Sequence, residues 1–543
     1  MKYFYTHFSG LFLLWLGSAM IFSGCNGEAE KKVQRPNILF CLADDAAFPH
    51  MGAYGTKWVR TPGFDRVAEQ GILFTRAYTP NAKCAPSRAC IITGRNSWQL
   101  GAAANHWCYF PKEYKTYPEV LSEHGYYVGY TGKGWAPGVA GTVDGKPRRL
   151  VGEPWQKRRT TPPTNRISKT DYFENFRAFL EKKPADEPFC FWYGGHEPHR
   201  GYEFASGIKK GGKHIRDIDS VYTYWPDVDS VRTDMLDYAF EIEYFDSHLV
   251  RMLDLLKQKG ELENTLVIVT GDNGMPFPRC KGQEYEQSNH MPLAVMWKKG
   301  IKKPGRTVDD LVSFIDFAPT FLEIAQVDAG NCGMKTIQGR SLTSIFYTTD
   351  SGVTEPERDH VLIGKERHDV GRPHDEGYPI RGIIRDQYLF IHNFKTDRWP
   401  AGNPETGYLN CDGSPTKTVI LNEFRKGENL QHWVWSFGKR PADELYNIKK
   451  DPDCIVNLAR KPEYAGIVTK LKTQLFTELK EQGDPRMFGK GDVFDEYPYA
   501  DTKDTAFYER YMRGEKLPAG WINKTDFETD MQRVKEVLQD MDK

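Results

Sequence analysis

A chain of 543 residues exceeds the usual size of one domain and is long enough to bury a large core. That length suits two or more domains, or one large α/β domain with an appendage. Lysine plus arginine equals aspartate plus glutamate at 73 each, so the basic excess that accompanies nucleic-acid binding is absent and no nucleic-acid partner is expected.

Lys2 is followed by the apolar run LFLLWLGSAMIF, residues 11–22, and then by Ser23-Gly24-Cys25. The run is too short to span a bilayer comfortably and reads as an export signal. The small residues before Cys25 resemble a bacterial lipoprotein signal, which would leave Cys25 lipidated at the mature N-terminus. The alternative is an ordinary cleaved signal. On the first reading residues 1–24 are the signal peptide and residues 25–34, polar and charged, are a tether. The expected product is an exported periplasmic or cell-surface lipoprotein, held by its lipid alone in the outer membrane of a Gram-negative bacterium. Ten cysteines occur, none in C-x-x-C spacing, which argues against a zinc ribbon or a thioredoxin-type site. One or two disulfides are possible in an oxidising compartment, but the sequence does not assign them.

After the tether, the nearly all-apolar NILFCLA predicts a parallel strand buried on both faces, ending in Asp44 and Asp45. TPGFDRVAEQG (61–71) predicts a helix with a Gly stop, and ILFTRAYT (72–79) a strand. YPEVLSEHG (117–125) predicts a helix and YYVGYTG (126–132) the next strand. TDYFENFRAFLEKK (170–183) is helical, and EPFCFWYGGHEPHR (187–200) is a buried strand ending in polar groups. Residues 232–260 form one long helix. NTLVIVTGDNG (264–274) is a strand ending in Asp272-Asn273, PLAVMWKKG (292–300) a further strand, and SFIDFAPTFLEIA (313–325) a helix. This alternation predicts an α/β fold, a doubly wound, mostly parallel sheet over residues 35–350. Ligand sites of such sheets gather at the carboxyl ends of strands. Short antiparallel strands after 350 and a helix over 467–482 predict a smaller C-terminal α+β subdomain, residues 351–484. The extension 485–543 has no assigned role.

The stretch KCAPSRACIITGR, residues 83–95, raises the question of function. Taken alone, Cys84 could be a core residue, half of a disulfide, a metal ligand or a nucleophile. Each acidic pair could be a turn or a helix cap. But Cys84-Ala85-Pro86-Ser87-Arg88 followed by Thr93-Gly94 matches C-x-P-S-R-x-x-x-x-T-G, and the chain thereby resembles the type I sulfatases of the alkaline phosphatase superfamily. The likeness extends over residues 35–460 and is greatest to the sulfamidase (N-sulfoglucosamine sulfohydrolase) branch and its bacterial polysaccharide sulfatases. It implies that a separate maturation enzyme oxidises Cys84 to formylglycine (3-oxoalanine). It also implies one calcium ion held by Asp44, Asp45, Asp272 and Asn273 together with residue 84; oxygen ligands suit a hard cation. Lys133 and Lys281 match sulfate-binding cations, Arg88 adds positive charge, and His196 matches the acid that protonates the leaving group. The chain departs from the family at Trp135, where many members have a histidine in K-x-H. His106 is a candidate for that vacant role, or a packed core histidine.

The chemistry suits these residues. A hydrated aldehyde can attack sulfur and then expel sulfate, which a serine could not do. A calcium ion would polarise sulfate oxygens, and a helix starting near Pro86 would aim its N-terminus at the anion. His199, His368, Arg372 and His374 are candidate substrate contacts, the last three in the polar segment 364–381; a solvated loop is the competing reading. The resemblance implies hydrolysis of sulfate groups on a sulfated glycan, such as ulvan or a heparan-type chain. Cleavage of an N-sulfate, a phosphate or phosphonate ester hydrolase, and a non-catalytic glycan-binding lipoprotein are the alternatives.

Overall fold

The computed structural model describes residues 35–541; the signal, the tether and Cys25 lie outside these residues. The first strand shows how the sequence builds the fold. In β1 (Asn37–Ala43) every residue is buried. Ile38, Phe40 and Leu42 enter one apolar core and Leu39, Cys41 and Ala43 another. A strand alternates its side chains, so an unbroken apolar run requires cover on both faces. The first core is covered by α2 (Cys84–Thr93), α3 (Tyr117–Glu123) and α6 (Phe317–Ile324). The second lies under α1 (Pro62–Glu69), α4 (Tyr172–Lys182) and the long α5 (Asp229–Gln258).

The other main strands of this sheet are β2 (Ile72–Tyr78), β3 (Tyr127–Gly132), β4 (Phe189–Gly194), β5 (Thr265–Gly271) and β6 (His290–Met296). Their spatial order is β2-β6-β5-β1-β4-β3, with short strands Arg306–Val308 and Glu153–Pro154 at the two edges. β6 is antiparallel to both neighbours, and the other pairings in this order are parallel, which is the mostly parallel α/β fold that the β/α alternation predicts.

A second sheet holds four antiparallel strands: β7 (His360–Lys365), β8 (Ile380–Arg385), β9 (Tyr388–Asn393) and β10 (Asp443–Asn447). Leu471, Leu475 and Leu479 of helix α7 (Ala465–Glu481), one turn apart on one face, pack with Leu362, Ile383, Phe390 and Leu445. The extension after 484 is integral to the fold. Phe494 enters that same core, while Tyr499, Phe507 and Ala519 build another with Val370 and Leu409.

Candidate active site

Strand register assembles the site. Ala43 of β1 pairs with Gly271 of β5, so Asp44-Asp45 and Asp272-Asn273 leave the sheet side by side. Gly194 of β4 pairs with Leu42 of β1 and with Gly132 of β3, which brings Lys133 and His196 to the same edge. The backbone continues these ladders: Asp272 N–H donates to Ala43 O (3.1 Å) and Lys133 N–H to Gly194 O (2.7 Å). Cys84 is the first residue of α2, two residues earlier than the start near Pro86 that the sequence suggested. Proline in a first helical turn loses no intrahelical hydrogen bond, so it does not delay the start.

Ion pairs fix the cluster. Lys133 Nζ lies 2.6 and 2.9 Å from the two Asp44 oxygens, and Lys281 Nζ lies 2.7 Å from Asp45 Oδ2 and 3.2 Å from Asp412 Oδ2. The Cys84 thiol faces Asp44 Oδ1 at 3.4 Å. Arg88 is fully buried: it binds Asp272 Oδ2 (2.7 Å), the carbonyls of Lys133 (2.7 Å) and Gly134 (2.8 Å), and Asp44 Oδ1 (3.4 Å). Its charge therefore sits beneath the site, with four acceptors taking up its donors.

A cavity of about 540 Å³ opens above this floor. Asp44, Cys84, Lys133, His196, His199 and Lys281 line it, joined by His106. Burial raises the Asp44 carboxyl, but Lys133 and Arg88 outweigh it and hold the group well below the usual carboxylate range. Burial, reinforced by Asp44, pushes the Cys84 thiol far up, so the unmodified side chain is a neutral thiol and a poor nucleophile. Burial brings His196 down to about 4.

Carboxylate oxygens of Asp44, Asp45 and Asp272 approach within 4.8 Å of one another. Asn273 Nδ2 donates to Asp45 Oδ1 (2.7 Å), while Asn273 Oδ1 is buried with no hydrogen-bond partner among the described residues. A free buried acceptor beside three carboxylates fits a hard cation bound through oxygen.

Trp135 is structural here. Its indole N–H donates to Ala85 O (3.0 Å) and its ring meets Phe110 edge-on, so it pins the start of α2. His106 does reach the cavity. Its Nδ1 is 3.0 Å from Asp369 Oδ1, Lys83 Nζ is 2.7 Å from Asp369 Oδ2, and His106 Nε2 has no partner among the described residues.

Three expected substrate contacts are not in the cavity. Arg372 is buried and donates to the carbonyls of Trp399, Pro400 and Glu376. His368 is buried with Nε2 2.8 Å from Asn81 Oδ1. His374 is a surface residue, its side chain 82% exposed near Glu509. The dense charge of segment 364–381 is satisfied internally, as in the buried pairs of Arg381 with Glu366 and Asp484. Of that segment only Asp369 lines the cavity. Sequence reasoning missed Asp369, Lys83, Asp412, Trp107 and Trp521, which also line it. Lys83, next to Cys84, was the one with a local signal.

The sulfatase family profile matches residues 36–327, more than half of the chain, and the chain belongs to this family of sulfuric ester hydrolases. A second profile, the C-terminal part of N-sulphoglucosamine sulphohydrolase, matches residues 280–400. An ulvan-active sulfatase of Formosa agariphila is 28% identical over 459 residues, covering 83% of this chain and 81% of that protein. The N-sulphoglucosamine sulphohydrolase of Homo sapiens is 28% identical over 497 residues, covering 85% of this chain and 93% of that protein. A protein solved with its substrate D-glucosamine-2-N,6-O-disulfate shares the fold at TM-score 0.60 and 20% identity, over 83% of this chain and 98% of that one. None of the described helices is long and apolar enough to cross a membrane, and the nine described cysteines are all buried and unpaired.

Proposed function

We propose that the protein removes sulfate groups from a sulfated polysaccharide or its oligosaccharides, using formylglycine made from Cys84 and one calcium ion. The observation that carries this reading is the convergence of Cys84, Lys133, Lys281 and His196 on one cavity over a floor of acidic oxygen donors. Asp44, Asp45, Asp272 and Asn273 would hold the cation, which when bound polarises sulfate oxygens and acidifies the attacking hydroxyl. Oxidised residue 84 supplies that hydroxyl as a hydrated aldehyde.

The remaining work falls to the chain's own side chains. Lys133 and Lys281, held beside the site by Asp44 and Asp45, bring positive charge to the sulfate oxygens, and the carboxylate oxygens they pair with would turn to the cation as it binds. Arg88 holds Asp272 and Asp44 in place from below. The N-terminus of α2 faces the same anion. His196 gives its proton to the departing oxygen. Free, it is neutral near pH 7, since burial brings it to about 4. A bound sulfate ester adds negative charge beside the imidazole and raises its proton affinity when the proton is needed. His106 takes the part of the K-x-H histidine that Trp135 replaces, helping to expel sulfate from oxidised residue 84. Export as a lipoprotein through Cys25 places the enzyme where polymeric glycans are met, and a separate maturation enzyme supplies the oxidised residue.

The first test is the mass of the tryptic peptide carrying Cys84, taken from the native host, and then sulfate release from ulvan and heparan oligosaccharides. The aldehyde with release from either glycan supports the reading. An unmodified thiol in mature protein sinks it and leaves a glycan-binding lipoprotein. The match of residues 280–400 to the sulphoglucosamine enzyme favours a second reading, N-sulfate cleavage. Release from N-sulfated glucosamine with none from O-sulfated sugars would select it.

A further inference from the structure

We propose that Trp107 and Trp521 form an aromatic platform that binds a pyranose ring in the cavity, and that residues after 484 thereby select the glycan. This rests on the sulfated-glycan reading and adds a subsite to it.

The two tryptophans lie more than 400 positions apart and line the same cavity as Cys84 and Lys281. Both are partly exposed, although large indoles usually contribute to cores. Trp107 has φ +50, a left-handed conformation that costs a non-glycine residue energy and that persists only where its surroundings impose it. Those surroundings belong to the extension: Ala500 N–H donates to Trp107 O (2.6 Å), and the Tyr499 ring lies 6.4 Å away at 48°. Trp521 is tied to the loop 409–413. Its indole N–H donates to Leu409 O and its carbonyl accepts from Gly413 N–H, both at 2.8 Å. Both indoles pack on the cluster of Val370, Leu409, Tyr499, Phe507 and Ala519, and both stay partly exposed where they line the cavity. Flat apolar faces beside a cluster of cations match a sulfated sugar, whose C–H face is apolar and whose sulfate is anionic.

Trp521 touches the Asp412 loop, and Asp412 pairs with Lys281, so a purely structural role must be separated from stacking. The experiment uses full-length mature enzyme and its Trp107→Ala, Trp521→Ala and Trp521→Phe variants. Probes are ulvan-derived and heparan-derived sulfated tetrasaccharides and inorganic sulfate, the last as a competitive inhibitor confined to the cation end. Both alanine variants should raise KM for the tetrasaccharide cleaved by wild type by about tenfold or more, the loss of ~1.4 kcal/mol of stacking, with kcat little changed. The inhibition constant for inorganic sulfate should not move. Trp521→Phe keeps a ring and loses the indole N–H, so it should retain most of the wild-type KM. Wild-type turnover shared by both alanine variants at unchanged KM would overturn the platform while leaving the sulfatase reading intact. Equal losses in Trp521→Phe and Trp521→Ala, or weaker inhibition by sulfate in both, would assign Trp521 to holding the Asp412 loop and overturn its stacking role. No sulfate release from either probe by wild type would instead fail the underlying reading.

Discussion

At one end of the cavity, Asp44, Asp272, Lys133 and His196 extend directly from the ends of paired strands, and Cys84 opens a buried helix. The proposed sugar end, Trp107 and Trp521, sits on a loop and on the chain's last segment; Trp107 O accepts one backbone hydrogen bond from Ala500 N–H, and Trp521 makes one through its carbonyl and one through its indole N–H. The cation end is cross-linked by the pairs Lys133–Asp44, Arg88–Asp272 and Lys281–Asp45. Bond breaking needs groups placed to within about 0.5 Å, which rigid strand ends supply. Ring recognition tolerates looser placement, and loops can change without disturbing the sheet. The comparison predicts that changes at the first end act on kcat and changes at the second on KM.

The largest effect tests the first half of that statement. Cys84→Ala should reduce turnover of every sulfate substrate to background, a loss on the order of 10⁶-fold, as for other covalent nucleophiles. Tetrasaccharide binding, read by titration calorimetry, should survive. Loss of binding as well would erase the distinction between the two ends. Removal of the proposed cation by chelation should come next, at about 10⁴-fold in kcat, since a Lewis acid contributes several kcal/mol. Activity restored by calcium and not by zinc would fit the all-oxygen donor set.

His196→Ala should lower kcat by about 10³-fold and affect KM less. Its pH signature sharpens the test. A general acid must carry its proton, so activity falls as pH rises through its pKa. In the free enzyme burial brings that pKa to about 4; bound anion raises it. The alkaline fall of kcat should therefore lie at higher pH than that of kcat/KM, and His196→Ala should remove it. An unchanged fall in the variant would assign the proton to another group.

The cation end was legible in the sequence because strand-terminal acids and the C-x-P-S-R run are local patterns. NILFCLADD and TGDNG each announce a buried strand together with its polar, oxygen-rich end. Their adjacency depends on the β1–β5 pairing, which the resemblance implied and the register of Ala43 on Gly271 displays. The sugar end was not legible, because Trp521 comes to the cavity through packing of Phe507 and Tyr499 on Val370 and Leu409, contacts spanning about 90 to 140 positions. The segment 364–381 misled for a related reason. Its charges look solvated when read in line, and only the fold reveals that Asp484, Glu366 and backbone carbonyls absorb them.

Arg372 is where that error can be measured, and its expected effect on catalysis is the smallest. The guanidinium is buried and lowered to about 10, first by burial and then by Arg398. It donates to three carbonyls, those of Trp399 (2.6 Å), Pro400 (3.0 Å) and Glu376 (3.2 Å). Arg372→Ala takes a donor from one buried and two part-buried carbonyls, at a cost of roughly 1–3 kcal/mol for each left without a partner; Gly402 N–H still reaches Trp399 O, and Lys365 and Gln283 still reach Pro400 O. The variant should therefore melt several degrees lower and keep its KM for acidic tetrasaccharides. Arg372→Lys should recover only part of the loss, because one ammonium cannot reach three divergent carbonyls. A raised KM at unchanged Tm would move Arg372 back into the site and would extend the substrate-reading region into the second sheet.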